Sequence, residues 1–115
     1  MRRRAVAGLV AIFVCGSVAA QGVSTPFTHT VKPRGFAEEC FKLPGGATIG
    51  YAFESTAAMD FNIHFHRGKD VVYPVKVDAV RRADDRFTAP SAEEYCLMWT
   101  NGTTAMVTVK GTLSR

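Results

Sequence analysis

In Asp60-Phe61-Asn62-Ile63-His64-Phe65-His66 every second residue is a large hydrophobe and the residues between are polar. Successive side chains of a β-strand point to opposite faces, so this pattern suits a strand covered on one side. It suits no helix, whose faces repeat every ~3.6 residues. Phe61, Ile63 and Phe65 fall on a core face, and Asn62, His64 and His66 on the other. The run Val71 to Val77 keeps Val71, Tyr73, Val75 and Val77 in phase, and Ala105 to Lys110 repeats the half-buried pattern. Tyr95-Cys96-Leu97-Met98-Trp99 is apolar throughout, as a strand covered on both faces requires. Pro74 cannot donate to a ladder, so its strand lies at an edge or carries a bulge.

Turn residues cut the chain into about seven candidate strands: residues 37–43, 48–54, 59–67, 71–77, a segment ending near Phe87, 94–100 and 104–113. Short strands at this even spacing predict a sandwich or barrel. Asn101-Gly102 offers a type I′ turn that joins the last two strands as a hairpin. Pro44-Gly45-Gly46 joins the first two runs in the same way. Ala79 to Arg86, with three arginines and two aspartates, reads as an exposed connection. The expected fold is all-β: a single antiparallel β-sandwich of jelly-roll type over residues 35–115. Residues 21–34, polar and interrupted by Pro26 and Pro33, form an extended lead-in that docks late.

Residues 1–20 have the three parts of a secretory signal. Arg2-Arg3-Arg4 is followed by the uncharged stretch from Ala5 to about Val14 and then by small residues. Val18 and Ala20 place the cut after Ala20. The uncharged run is short of the ~20 residues a spanning helix needs, so no transmembrane helix is expected in the exported chain. The leader looks bacterial, and the chain is expected to be secreted or periplasmic. Of the 14 basic residues three leave with the leader, which nearly balances the remainder against 10 acidic residues. Capture of a nucleic acid therefore has little charge to draw on. Cys15 also leaves, so Cys40 and Cys96 remain in an oxidising compartment with one possible pairing. The bond closes a long loop and is worth ~4 kcal/mol in the chain-entropy picture.

The order of these pieces resembles the GOLD domain, in a bacterial-looking stand-alone version. Cys40-Phe41 followed by Pro44-Gly45-Gly46-Ala47-Thr48 is similar to the opening of its luminal, cargo-receptor members. Ile49 to Phe53 and Met59 to Phe65 resemble its next strands. Phe87 to Ala89 and then Glu94 to Asn101 resemble its late strand, with an aromatic-cysteine step and a closing asparagine. The resemblance covers roughly residues 39–109. It implies a compact β-sandwich, a disulfide between the two cysteines, a role in binding proteins or lipids, and no catalytic residues. The coiled coil, membrane helix and sorting tail of the trafficking receptors have no counterpart in the sequence.

His64 and His66, at i and i+2 on one strand, point the same way and could share copper or zinc. Asn62 and Asp60 lie near them, and Met59, Met98 and Met106 are soft donors suited to copper. His29 is an unconstrained further candidate. The acidic pairs Glu38-Glu39, Asp84-Asp85 and Glu93-Glu94 alternate across strands and read as solubilising charges. No nucleophile elbow, phosphate loop or zinc-protease motif occurs, so no enzyme and no resident cofactor are expected. Trp99 is expected in the core, with Tyr51 and Phe53 as further aromatic candidates. Tyr73 and Pro74 mark an edge able to accept a partner strand. Asn101-Gly102-Thr103 matches a glycosylation acceptor, but a turn is the favoured reading. The sequence thus predicts a non-catalytic binding module for a protein or lipid partner, with metal binding through His64 and His66 as the alternative.

Overall fold

The computed structural model describes residues 8, 10–12 and 22–115. The arginine run, Cys15 and the expected cut after Ala20 lie outside the described residues. Among those described there is no helix, and six strands form one antiparallel sheet. They are β1 (Ser24–Val31), β2 (Phe36–Leu43), β3 (Thr48–Arg67), β4 (Asp70–Thr88), β5 (Glu93–Thr100) and β6 (Val107–Ser114).

β3 organises the sheet. One of its edges pairs with β4 along nearly its whole length. The other edge is divided: Gly50–Ser55 pairs with β6, and Asp60–His64 pairs with β5. β1 then adds to β6, and β2 to β5. The sheet therefore has two wings that share β3 and β4. The bend between them falls where the β3–β4 register shifts, between Glu54 and Met59. There the Ser55 hydroxyl donates to the Ala57 carbonyl, and Thr108 N–H donates to Thr56 Oγ1 at 3.0 Å. Side-chain hydroxyls thus take up backbone groups where ladder pairing lapses.

The inner faces of the wings meet in a core of alternating β3 side chains. Ile49, Tyr51 and Phe53 come from the first wing, and Met59, Phe61, Ile63 and Phe65 from the second. Trp99 of β5 reaches across, with its ring centroid 4.9 Å from Phe27 and 5.5 Å from Phe53. Phe61 likewise meets Phe53 at 4.9 Å and Tyr51 at 5.3 Å, and burying each such side chain is worth ~1.5–3 kcal/mol, so aromatic contacts join the wings. His29 of β1 adds a polar bolt, its Nε2 lying 2.8 Å from Glu39 Oε1 of β2.

Several expectations are corrected. Among the described residues there are six strands rather than about seven, because two pairs of runs merge and the lead-in contributes one more. Residues 48–54 and 59–67 are one strand, and so are 71–77 and the segment ending near Phe87. Ala79 to Arg86 belongs to β4 and is not a loose connection. Most of the lead-in is β1, an edge strand, which is why Pro26 is tolerated in it. Neither expected hairpin forms. Pro44-Gly45-Gly46 does turn, with Ala47 N–H donating to the Pro44 carbonyl at 3.1 Å and Gly46 at φ 85, but β2 and β3 do not pair. β5 and β6 do not pair with each other either, since each takes its own half of β3.

The residue expected in that second hairpin has a different task. Asn101 is wholly buried where the β1–β2 turn meets the β5–β6 crossing. Its Nδ2 donates to the carbonyls of Val31, Lys32 and Ala105 at 3.1, 3.2 and 2.7 Å. Its Oδ1 accepts from Thr103 N–H at 2.9 Å and from the Thr103 hydroxyl at 2.7 Å. The amide nitrogen is thereby committed, so the folded chain does not present it for glycosylation. Asn101→Ala leaves several buried backbone groups unpaired and is expected to cost about 3 kcal/mol. Gly102→Ala, with nothing within 4 Å of the added carbon, is expected to be near neutral. Urea denaturation midpoints check both; equal effects would return the site to a tight glycine turn.

Candidate functional site

The outer face of the second wing can be read from the ladder. Directly paired residues share a face, so Glu38, Met98, Asn62 and Lys76 form one row across β2, β5, β3 and β4. The next row runs Cys40, Cys96, His64. Cys40 and Cys96 are bonded directly across the ladder, with Cα atoms 4.1 Å apart. The expected disulfide is therefore present, as a brace between neighbouring strands rather than a tie between distant ends.

The second row is completed by a bulge. Ile63 pairs with Val75 and Phe65 with Val72, so Tyr73 and Pro74 together oppose His64. Pro74 thus sits on a strand with a free outer edge and also in a bulge. The extra residue changes the phase of β4. Val71 and Tyr73 share the outer face with His66 and His64, while Val72 and Val75 pack on the core. The expected single apolar face of Val71, Tyr73, Val75 and Val77 is therefore split.

Around His64 these rows close in. The residue is only 4% exposed although it lies on an outer face. Its ring centroid is 5.8 Å from Tyr73 and 5.4 Å from His66. Its Nδ1 is 2.7 Å from Asn62 Oδ1, and its Nε2 is 3.6 Å from Glu38 Oε1. Burial pushes the imidazolium below its ordinary range, with Glu38 pulling it part of the way back and His66 adding to the fall.

The other expected donors are dispersed. Met59 points into the core, and Met106 is exposed on the β5–β6 crossing. The Asp60 carboxylate accepts a hydrogen bond from Ala79 N–H at 3.0 Å in a second bulge of β4. His29 is engaged with Glu39. Among the described residues, the one group of three metal-ligating side chains within reach of one another is Glu38, Cys40 and Cys96. Glu38 went unnoticed as a site residue because its partners are remote in sequence. Taking the disulfide as a direct cross-strand pair would have placed Glu38, two residues before Cys40, on the same face.

The outer face of the first wing has a different character. Pro26, Ala52, Gly111 and Thr112 floor a shallow groove of about 580 Å³. Its charges are mutually neutralising, with Arg82 Nη2 3.4 Å from Glu54 Oε2. Among the described residues no helix is long and apolar enough to cross a membrane.

This two-winged sheet belongs to a class of small all-β domains known from solved structures, although no family model and no curated protein matches the chain. The pre-peptidase C-terminal domain of a collagenase from Bacillus anthracis superposes with a TM-score of 0.60 at 12% identity, over 79% of this chain and 89% of that one. The mitogen derived from Yersinia pseudotuberculosis gives 0.56 at 16% identity, over 81% and 86%. PliG of Aeromonas hydrophila, a periplasmic inhibitor of g-type lysozyme, gives 0.53 at 14% identity, over 82% and 85%. These likenesses define the fold. None of the three is a GOLD domain, and none is named for a catalytic activity of its own.

The buried neutral imidazole gives a pH dependence of fixed sign. Below the ordinary histidine value of 6.5 the unfolded chain binds a proton that folded His64 resists. Stability is therefore fully present above that value and is lost as the pH falls below it. Urea midpoints measured between pH 7.5 and 5 are expected to drop for the native chain and to drop less for His64→Gln. Parallel profiles would show that His64 does not set the slope.

Proposed function

We propose that the chain is a non-catalytic binding module of an oxidising compartment, periplasmic or extracellular, that docks a protein partner on the outer face of the second wing and the adjoining edge of β4. The observation that carries this reading is the pairing of an anchor with a free edge. Tyr73 is 49% and Val71 39% exposed, and they project beside a strand edge open to pairing. Aromatic side chains of this kind supply much of the energy at protein interfaces, and an open edge supplies main-chain hydrogen bonds. Lys76 lies 5.6 Å from the Tyr73 ring and gives the patch a polar border.

Three further considerations support the reading. The disulfide suits an oxidising compartment. PliG, similar in fold, is a periplasmic protein whose partner is another protein, a lysozyme. The GOLD resemblance implies the same generic role and brings no catalytic residue. The exported chain, immobilised in its oxidised form, is expected to retain a protein from an envelope extract. Tyr73→Glu should cut that retention at least about tenfold, as loss of an interface anchor does. Thr112→Glu on the other wing should leave it unchanged. Retention of lipid alone, or of protein equally by both variants, would overturn the assignment.

The second reading, copper or zinc on His64 and His66, has the 5.4 Å approach of the two rings in its favour. It requires binding by the oxidised chain that disappears in His66→Ala.

A further inference from the structure

The disulfide and Glu38 form a cluster of three donor groups, and His64 adjoins it through Glu38. Glu38, Cys40 and Cys96 present ligand atoms all within 4.8 Å of one another. Glu38 Oε2 lies 3.9 Å from Cys40 Sγ, and Glu38 Oε1 lies 3.6 Å from His64 Nε2. Cys96 stands directly across the ladder from both Cys40 and His64. Around a tetrahedral zinc ion, bonds of ~2.0–2.3 Å set neighbouring ligand atoms about 3.4–3.8 Å apart. The two Glu38 contacts, to Cys40 and to His64, are already close to that, and reduction frees the two sulfurs to move apart.

Two features point to a cation rather than to chance proximity. With Asn62 Oδ1 at 2.7 Å, the Nδ1 position of His64 carries the proton, and Nε2 turns its lone pair toward the cluster. A metal-binding histidine is commonly oriented in this way, its second nitrogen fixed by an outer acceptor. That lone pair then faces the Glu38 carboxylate, so two acceptors oppose each other across a gap that a positive ion satisfies. The disulfide is what withholds the site, because bonded sulfurs are poor donors and thiolates are good ones.

We propose that reduction of the Cys40–Cys96 bond turns this face into a binding site for a divalent cation of the zinc type, held by both thiolates, His64 Nε2 and a carboxylate oxygen of Glu38. A dithiol supplies the reduction. Its thiolate attacks the exposed Cys40 sulfur and expels the Cys96 thiolate. The second thiol of the reagent then displaces Cys40 and closes its own disulfide. The protein gains two electrons and two protons, and the cation on entering releases the two thiol protons. The site neither depends on the partner reading nor uses His66.

The test uses the exported chain reduced with dithiothreitol, freed of reagent without air, and titrated with Co²⁺. One equivalent is expected to give thiolate-to-cobalt charge-transfer absorption and the intense visible bands of a tetrahedral ion, both erased by Zn²⁺. The oxidised chain should give neither. Cys40→Ser should abolish the charge-transfer signal, while His64→Gln and Glu38→Gln should weaken Co²⁺ binding at least about tenfold. His66→Ala should change nothing. If the reduced chain loses its β-type dichroism, Zn²⁺ should restore it. Absence of a cobalt signal, a signal indifferent to His64→Gln, or an unfolded reduced chain that Zn²⁺ fails to rescue would each overturn the proposal. Loss of partner capture by the oxidised chain would leave it standing.

Discussion

A strand has two hydrogen-bonding edges, and β3 must satisfy three neighbours with them. It can do so only by giving β4 one edge and dividing the other between β6 and β5. Every other feature follows from that division. The chain must bend where the partners change, so the two wings face each other. The inward side chains of β3 then line a common core, and Trp99 fills the space between the wings. Among the described residues the outer edges of β1, β2 and β4 are unpaired, so the fold is a curled sheet held by its interior, not by a closed ring of hydrogen bonds.

The same division makes the two outer faces unlike. On the first wing the residues are small or carry charges that neutralise one another. On the second, the Pro74 bulge swings Tyr73 over His64, and the disulfide draws β2 against β5 with Glu38 at its side. An imidazole that the alternation assigns to solvent is thereby covered from several directions. Its two nitrogens meet oxygen acceptors, and its burial favours the neutral form. This concentration of chemistry at an exposed edge is what singles out the second wing as the proposed docking face.

The period-two runs made the strands legible, and the apolar stretch ending at Trp99 announced its interior position. The cysteine count named the bond. What stayed hidden was pairing between strands far apart in sequence. Ser55 to Ala58 breaks the alternation because the chain changes partners there, and a local reading takes such a break for a turn. β1 was obscured for a related reason: Pro26 is permitted only because that strand lies at an edge, and edges are properties of the whole sheet. Asn101-Gly102 misled through its chemistry. The pair suits a tight turn, but here the asparagine amide serves three backbone carbonyls that a turn would not bring near it. His64 was placed on the correct face, but its cover came from a bulge and from Glu38, neither readable in β3 itself.

The ladder between β1 and β6 joins the first strand of the fold to the last, over eight residue pairs. The β3–β4 hairpin closes on itself by local contacts and can assemble while the chain is still being delivered. The β1–β6 ladder has to wait for β6, and until then β1 lacks its partner strand. A chain emerging in sequence thus holds β1 in reserve until β6 is delivered.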